Sequence, residues 1–264
     1  MATQSTISQS GAVEDFPSVR RITLGDLRDV LKEGLADFEA MPSHVFLLGV
    51  LYPVVGLILG RLAFGYDVLY LVFPLIAGFT LLGPAVAIVF YELSRRREAG
   101  EDLAWSKVLS VLNSPSIGGI VCLTLLLVGV FLAWLWVANF LYTSIFGAAV
   151  PTSISDFVSQ VLTTPAGWRL IAVGNAIGFL FAALIFVISV VSFPLLLDRS
   201  ASAGVAIATS FKAVRTNPFV MVIWGLIVAV SLALGSIPFL FGLAVVVPIL
   251  GHATWHLYRK VVAH

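Results

Sequence analysis

Charge is what this chain has least of. Of its 264 residues only 11% are charged while 59% are hydrophobic, and the mean hydropathy is +1.04. A soluble domain is roughly one quarter charged, so too few polar side chains exist to cover a water-facing globule, and a soluble enzyme is excluded. The one cysteine, Cys122, has no second thiol to pair with, and no Cys/His spacing suits zinc. With 15 Lys and Arg against 14 Asp and Glu, the basic face that a nucleic-acid partner requires is missing. Also missing are a phosphate-binding glycine loop, H-E-x-x-H and G-x-S-x-G. The expectation is a protein that is not an enzyme and carries no cofactor. The first forty residues lack the basic start, apolar middle and small-residue cleavage site of a secretory signal, so residues 1–18 are read as a retained, disordered N-terminus.

What the chain does have is apolar runs. A span needs about twenty mostly apolar residues, and six runs qualify, at about 44–64, 68–93, 117–146, 168–197, 219–234 and 237–258. The fold class expected is therefore all-α: a polytopic transmembrane helical bundle of six spans in one membrane domain, 19–262. Only Gly235 and Ser236 separate the fifth and sixth runs, which predicts a tight hairpin. Basic residues then set the orientation. Arg20, Arg21, Arg28 and Lys32 precede the first run; Arg95, Arg96, Arg97 and Lys107 follow the second. Arg199, Lys212 and Arg215 follow the fourth, and Arg259 and Lys260 follow the sixth. The opposite side has only Arg61 and Arg169. Both termini are expected in the cytoplasm of a bacterial cell, with the spans in its inner membrane.

Residues 24–39 carry Leu24, Leu27, Leu31, Leu35 and Phe38 at helical spacing, with Arg28, Asp29, Lys32 and Asp37 elsewhere. Thr23 is the expected N-cap, with Asp26 three residues on. Two placements are open: a helix lying on the cytoplasmic membrane surface, or one packed on the protein's own cytoplasmic loops. Segments 101–113 and 201–216 have a similar pattern, with Leu103, Val108 and Leu112 in one and Val205, Ala208, Phe211 and Val214 in the other. On the far side, Ser153–Leu162 is expected to form a short helix.

An internal repeat is visible. Pro74, Gly78, Pro84, Tyr91, Leu93 and Arg95 align without a gap on Pro238, Gly242, Pro248, Trp255, Leu257 and Arg259, each pair 164 residues apart. Pro42, Pro115 and Pro218 precede three outgoing runs, and Ser114 and Asn217 stand where a capping side chain would. The chain reads as three helix-plus-hairpin units, the middle one keeping the single exit proline Pro194.

Candidate sites are few. Ionisable residues deep in a span would be functional by default, and none lies at mid-depth. Polar groups there are Thr80, Thr124, Asn139, Asn175, Ser189 and Ser192. Pro74, Pro84, Pro238 and Pro248 can bend helices and free carbonyls, the way many transporters make a site. With Asn175 they are the candidate cavity or bend residues. No metal site is assigned; its only candidates are His44, His252 and His256, which share one side of the membrane. His252 and His256 flank Trp255 and are read as part of an interfacial belt. Gly56–Gly60 and Gly174–Gly178 are small-xxx-small pairs, read as close helix contacts within one chain.

Met41-Pro42-Ser43-His44, running into Tyr52-Pro53 and Gly56, and the ending Leu250-Gly251-His252-Ala253-Thr254-Trp255-His256-Leu257-Tyr258-Arg259 resemble a bacterial family of predicted integral membrane proteins. The family is known as domain of unknown function twenty-one eighty-nine. The resemblance runs from about Val19 to Val262 and implies a bacterial inner-membrane protein. Some members carry a cytochrome c oxidase subunit label. A haem-copper subunit needs several histidines inside its spans, whereas the four here lie at span ends or beyond. An accessory or assembly role needs no such ligands. The expected function is a non-enzymatic accessory, scaffold or assembly factor whose partners are the lipid bilayer and a membrane protein complex. The alternative is a small-molecule or lipid transporter using the proline-bent second and sixth runs.

Overall fold

Thr23 fixes where the first helix, α1 (Leu24–Ala40), begins. Its hydroxyl accepts from the Asp26 N–H, and the Asp26 carboxylate accepts from the Thr23 N–H at 2.8 Å, a closed capping box. The computed structural model describes residues 16–41, 54–58, 61, 69–147, 151, 153–237 and 240–263. The N-terminus to residue 15, most of the first apolar run, Pro42, His44, Pro238 and His264 lie outside the described residues.

After a 3-10 turn at Leu69–Leu71 the second apolar run is cut into α2 (Val72–Leu81), α3 (Gly83–Val86) and α4 (Ile88–Glu98). Pro84 explains the first cut: it has no N–H for the Thr80 carbonyl and it lies in the first turn of α3. Next come α5 (Trp105–Val108), a 3-10 turn at Leu109–Asn113, α6 (Ile117–Phe146) and α7 (Ile154–Thr163), the short helix expected at Ser153–Leu162, with Ser153 as its cap. The chain continues through α8 (Pro165–Ser189), α9 (Ser192–Asp198), α10 (Ala203–Thr216), α11 (Pro218–Ser236) and α12 (Leu243–Val261).

Among the described residues three helical stretches are long and apolar enough to cross a bilayer: Ile117–Phe146, Pro165–Asp198 and Pro218–Ser236. They coincide with the third, fourth and fifth expected runs. At 1.5 Å per residue, α6 spans about 45 Å, longer than the roughly 30 Å hydrocarbon layer. The fourth stretch is interrupted at Val190–Val191, where Pro194 cannot bond the Val190 carbonyl. Ser210 of α10 fills that gap, accepting from the Val191 N–H at 3.3 Å and donating to the Val187 carbonyl at 2.7 Å.

The sixth run departs furthest from expectation. Its helix starts only at Leu243, after Leu240 with φ of 67°, and most of α12 is enclosed by protein. Pro248 sits inside this unbroken helix, unlike Pro84, so the two repeat-paired prolines occupy different backbone settings. Gly235 and Gly242 make the reversal before α12 possible: a Cβ on Gly242 would stand 2.7 Å from the Gly235 carbonyl oxygen.

The described core gathers at the basic end, around the C-terminal half of α12. There α1 lies on one side and α4 on another, with α9 and α11 completing the shell. Two small residues allow the approach. A Cβ on Gly34 would stand 2.6 Å from the Ala253 backbone nitrogen, and one on Gly251 would stand 2.8 Å from the Phe90 Cβ. The buried face of α1 is thus Leu27, Val30, Gly34 and Asp37. Neither expected placement describes this contact, because α1 rests on a helix rather than on loops. Asp37, expected off the apolar stripe, lies on the packed face, while Leu24 and Leu35 are exposed. On α10, likewise, Val205, Ala206, Thr209, Ser210 and Ala213 face inward and Phe211 faces out.

Asn217 does not cap α11 with its side chain. It ties down the N-terminal segment instead: its Oδ1 accepts from the Ile22 N–H at 2.8 Å and its Nδ2 donates to the Arg20 carbonyl at 3.0 Å. The same segment pairs with the end of α12 through a bridge between Val19 and Val262. Asn217→Ala removes both bonds and leaves the buried Ile22 N–H without this acceptor, so a loss of about 2 kcal/mol is expected. Thermal unfolding of the purified protein measures the loss, and hydrogen exchange at Ile22 localises it.

Candidate functional site

The polar residues of the α12 motif converge on α1 and α4. Asp37, only 6% exposed, is the centre. Its Oδ1 accepts from Arg97 at 2.6 Å, and its Oδ2 accepts from the Ser94 hydroxyl and from His256 Nε2 at 2.9 Å. Ser94 Oγ also lies 2.8 Å from Nδ1 of the fully buried His252. An ionised carboxylate accepts only. Ser94 therefore gives its proton to Asp37, and His252 Nδ1 carries the hydrogen that points at Ser94. The result is a chain, His252 to Ser94 to Asp37 to His256, with Glu33 3.4 Å beyond His256 Nδ1.

Burial alone would raise the Asp37 pKa. The hydrogen bonds from His256 and Ser94, with the charges of both histidines, outweigh it and hold the carboxyl below its ordinary 3.8. A depressed folded-state pKa gives stability that is present above the unfolded value and lost as pH falls through the folded one. This contribution is therefore expected to be complete above about pH 5 and to be lost progressively as pH falls from 3.8 through the still lower folded-state value. Unfolding midpoints across that range check it, with Asp37→Asn as the variant that should lack this acid limb.

Two further networks border the first. Glu92, 3% exposed, accepts from Arg95 at 2.7 Å and from Arg96 at 2.6 Å, with Glu101 beside both guanidinium groups. Hydrogen bonding to Glu92 raises the Arg95 pKa. Glu98 accepts from Trp255 Nε1 at 3.1 Å and from Arg259 at 3.0 Å, and Asp198 accepts from the Tyr258 hydroxyl at 2.5 Å. A recess of about 610 Å³ opens beside His256, lined by Arg20, Arg21, Asp26, Glu33, Glu98 and Lys260 among others.

The sequence candidates separate. His252 and His256 meet through Asp37, and with Trp255 and Tyr258 almost wholly buried they are not an outward-facing belt. Among the described residues no group of three His, Cys, Asp or Glu side chains is arranged to hold a metal ion. Asn175 is exposed, its amide folded onto the Ile171 carbonyl of its own helix. The Pro74 carbonyl accepts from Trp134 Nε1 at 2.9 Å, and Pro248 is packed. Thr80, Thr124, Ser189 and Ser192 donate to carbonyls one turn back, while Asn139 accepts from Tyr70 of another segment at 2.8 Å. Gly174 and Gly178 sit against Leu141 and Trp134 of α6, an intrachain contact.

Sequence reasoning passed over Asp37, Ser94 and Arg97. One signal was there: Asp37 follows Leu27, Val30 and Gly34 at spacings of three, four and three, the stripe of a packed helix. A charge on such a stripe needs partners.

Residues 72–198 match the model of a family described as predicted integral membrane proteins, DUF2189. No curated protein and no solved structure matches the chain.

Proposed function

We propose that a chain whose residues 72–198 match a family of predicted integral membrane proteins serves as a non-enzymatic accessory, scaffold or assembly factor for a membrane protein complex. It has six spans, sits in the bacterial inner membrane with both termini cytoplasmic, and uses three repeated helix-plus-hairpin units. One observation supports this above others. The carboxylates at the centre of the basic end, Asp37, Glu92, Glu98 and Asp198, are each engaged by donors of the same chain. Meanwhile the spans turn large apolar side chains outward, among them Trp136, Phe140, Phe179, Leu180 and Val222. Such a molecule acts through lipid and helix contacts rather than through a reacting group. Purification in mild detergent at native expression, with mass spectrometry of what co-purifies, tests the reading. A stoichiometric membrane partner is the expected result. Purified protein with no partner that moves a solute across proteoliposomes would overturn it.

The transporter reading draws on the interruptions at Pro84 and Pro194. Against it, Ser210 fills the second break and Phe90 closes on Gly251 where the second and sixth runs meet. Flux that changes with Pro84→Ala or Pro248→Ala, at unchanged expression, would restore it.

A further inference from the structure

Ten of the basic residues fall into two groups. Arg95, Arg96, Arg97, Arg199, Arg259 and Lys260 each lie within ion-pair distance of a carboxylate. Arg28 and Lys32 of α1 and Lys212 and Arg215 of α10 have no ion-pair partner among the described residues, and all four are exposed. Each unpaired pair shares a face with a large apolar side chain left about half exposed among the described residues. On α1, Leu24, Arg28, Lys32 and Leu35 recur at spacings of four, four and three, with Leu24 50% and Leu35 42% exposed. On α10, Phe211 is 55% exposed, with Lys212 next to it and Arg215 one turn on. The acidic residues of α1 lie mostly elsewhere: Asp26 and Asp29 face Lys260, and Glu33 faces His256. Glu39 alone falls on the basic face, and α10 contains no acidic residue.

Position ties the α10 face to a bilayer. α10 ends at Thr216 and the span-length α11 starts at Pro218, so Phe211, Lys212 and Arg215 lie within two turns of a membrane segment. The apolar face continues into the span through the exposed Phe219 and Val222. Exposed apolar side chains flanked by unneutralised cations at such a boundary suit one surface: acyl chains beneath anionic headgroups.

We propose that the outer faces of α1 and α10 each dock anionic lipid of the leaflet on the basic side, with Leu24, Leu35 and Phe211 entering the headgroup boundary and Arg28, Lys32, Lys212 and Arg215 holding lipid phosphates. This requires that the chain be embedded in a bilayer, and it is independent of whether the protein is a scaffold or a transporter.

The test uses the full chain in lipid nanodiscs. In a Cys122→Ser background, Leu35→Cys, Phe211→Cys and, as a control on the acidic face, Asp29→Cys are labelled with an environment-sensitive fluorophore. Spin-labelled phosphatidylglycerol or spin-labelled phosphatidylcholine serves as quencher. Quenching is expected at Leu35→Cys and Phe211→Cys but not at Asp29→Cys, and phosphatidylglycerol should quench more strongly. Adding Arg28→Gln with Lys32→Gln, or Lys212→Gln with Arg215→Gln, should weaken the preference for the anionic lipid on the order of tenfold. Equal quenching at all three positions would overturn the proposal. So would a phosphatidylglycerol preference that survives loss of the cations, or shielding of Leu35→Cys that develops only when solubilised membrane proteins are added.

Discussion

Asp37→Ala is expected to destabilise the protein by about 3–5 kcal/mol, the cost of removing one partner from a buried ionic cluster. Three donors converge on this carboxylate, from Arg97, Ser94 and His256. Without it, the Arg97 guanidinium keeps the Ala36 carbonyl at 2.7 Å but loses its charge partner, and Ser94 loses the acceptor that orders its bond to His252. The penalty is therefore mainly that of uncompensated donors, not the net worth of the bonds. Asp37→Asn, which keeps the shape and one acceptor oxygen, should cost less. Thermal or denaturant unfolding in detergent measures both. If Asp37→Ala unfolds within experimental error of the parent, the cluster does not hold α1 to α12.

The second large effect concerns space. Gly34→Val would push a branched side chain into the Ala253 backbone, where even a Cβ finds atoms at 2.6, 2.7 and 2.8 Å. Backbone cannot yield as the tip of a flexible side chain can, so α1 must lift away. Overpacking typically costs 1–3 kcal/mol and sometimes more, and about 3 kcal/mol or above is expected here because the Asp37 bonds are lost as well. Limited proteolysis gives a direct readout, since trypsin should cut at Arg28 or Lys32 in the variant and spare them in the parent. Gly25→Ala is the control: its Cβ would meet only the Thr23 hydroxyl at 3.4 Å, and replacing an exposed helical glycine gains up to about 1 kcal/mol. Equal cleavage of all three proteins would mean that α1 is not seated against α12.

Together these variants bear on why the C-terminal motif reads as it does. Gly251 and Ala253 are the small residues that admit Phe90 and Gly34. His252 and His256 address the Asp37 cluster, Trp255 and Arg259 bind Glu98, and Tyr258 binds Asp198. A run that composition alone marks as the end of a span is in fact the residue-by-residue lining of a packed polar junction.

The sequence determined what depends on local chemistry. Apolar runs of about bilayer length cannot be solvated, so the runs at 117–146, 168–197 and 219–234 were legible, and the span-length stretches Ile117–Phe146, Pro165–Asp198 and Pro218–Ser236 contain them. Thr23 with Asp26 marked a helix start because a cap involves residues only a turn apart. Only the tertiary structure decided which apolar run stays unbroken and which face of an amphipathic helix is buried. Hydropathy averages side chains and does not register a missing N–H at Pro84, so the second run looked continuous. The face of α1 that is buried depends on what approaches it, and α12 arrives 219 residues later, where His256 meets Asp37. A pairing across that separation is set by the path of the whole chain, since neither residue's neighbours in sequence carry any trace of the other.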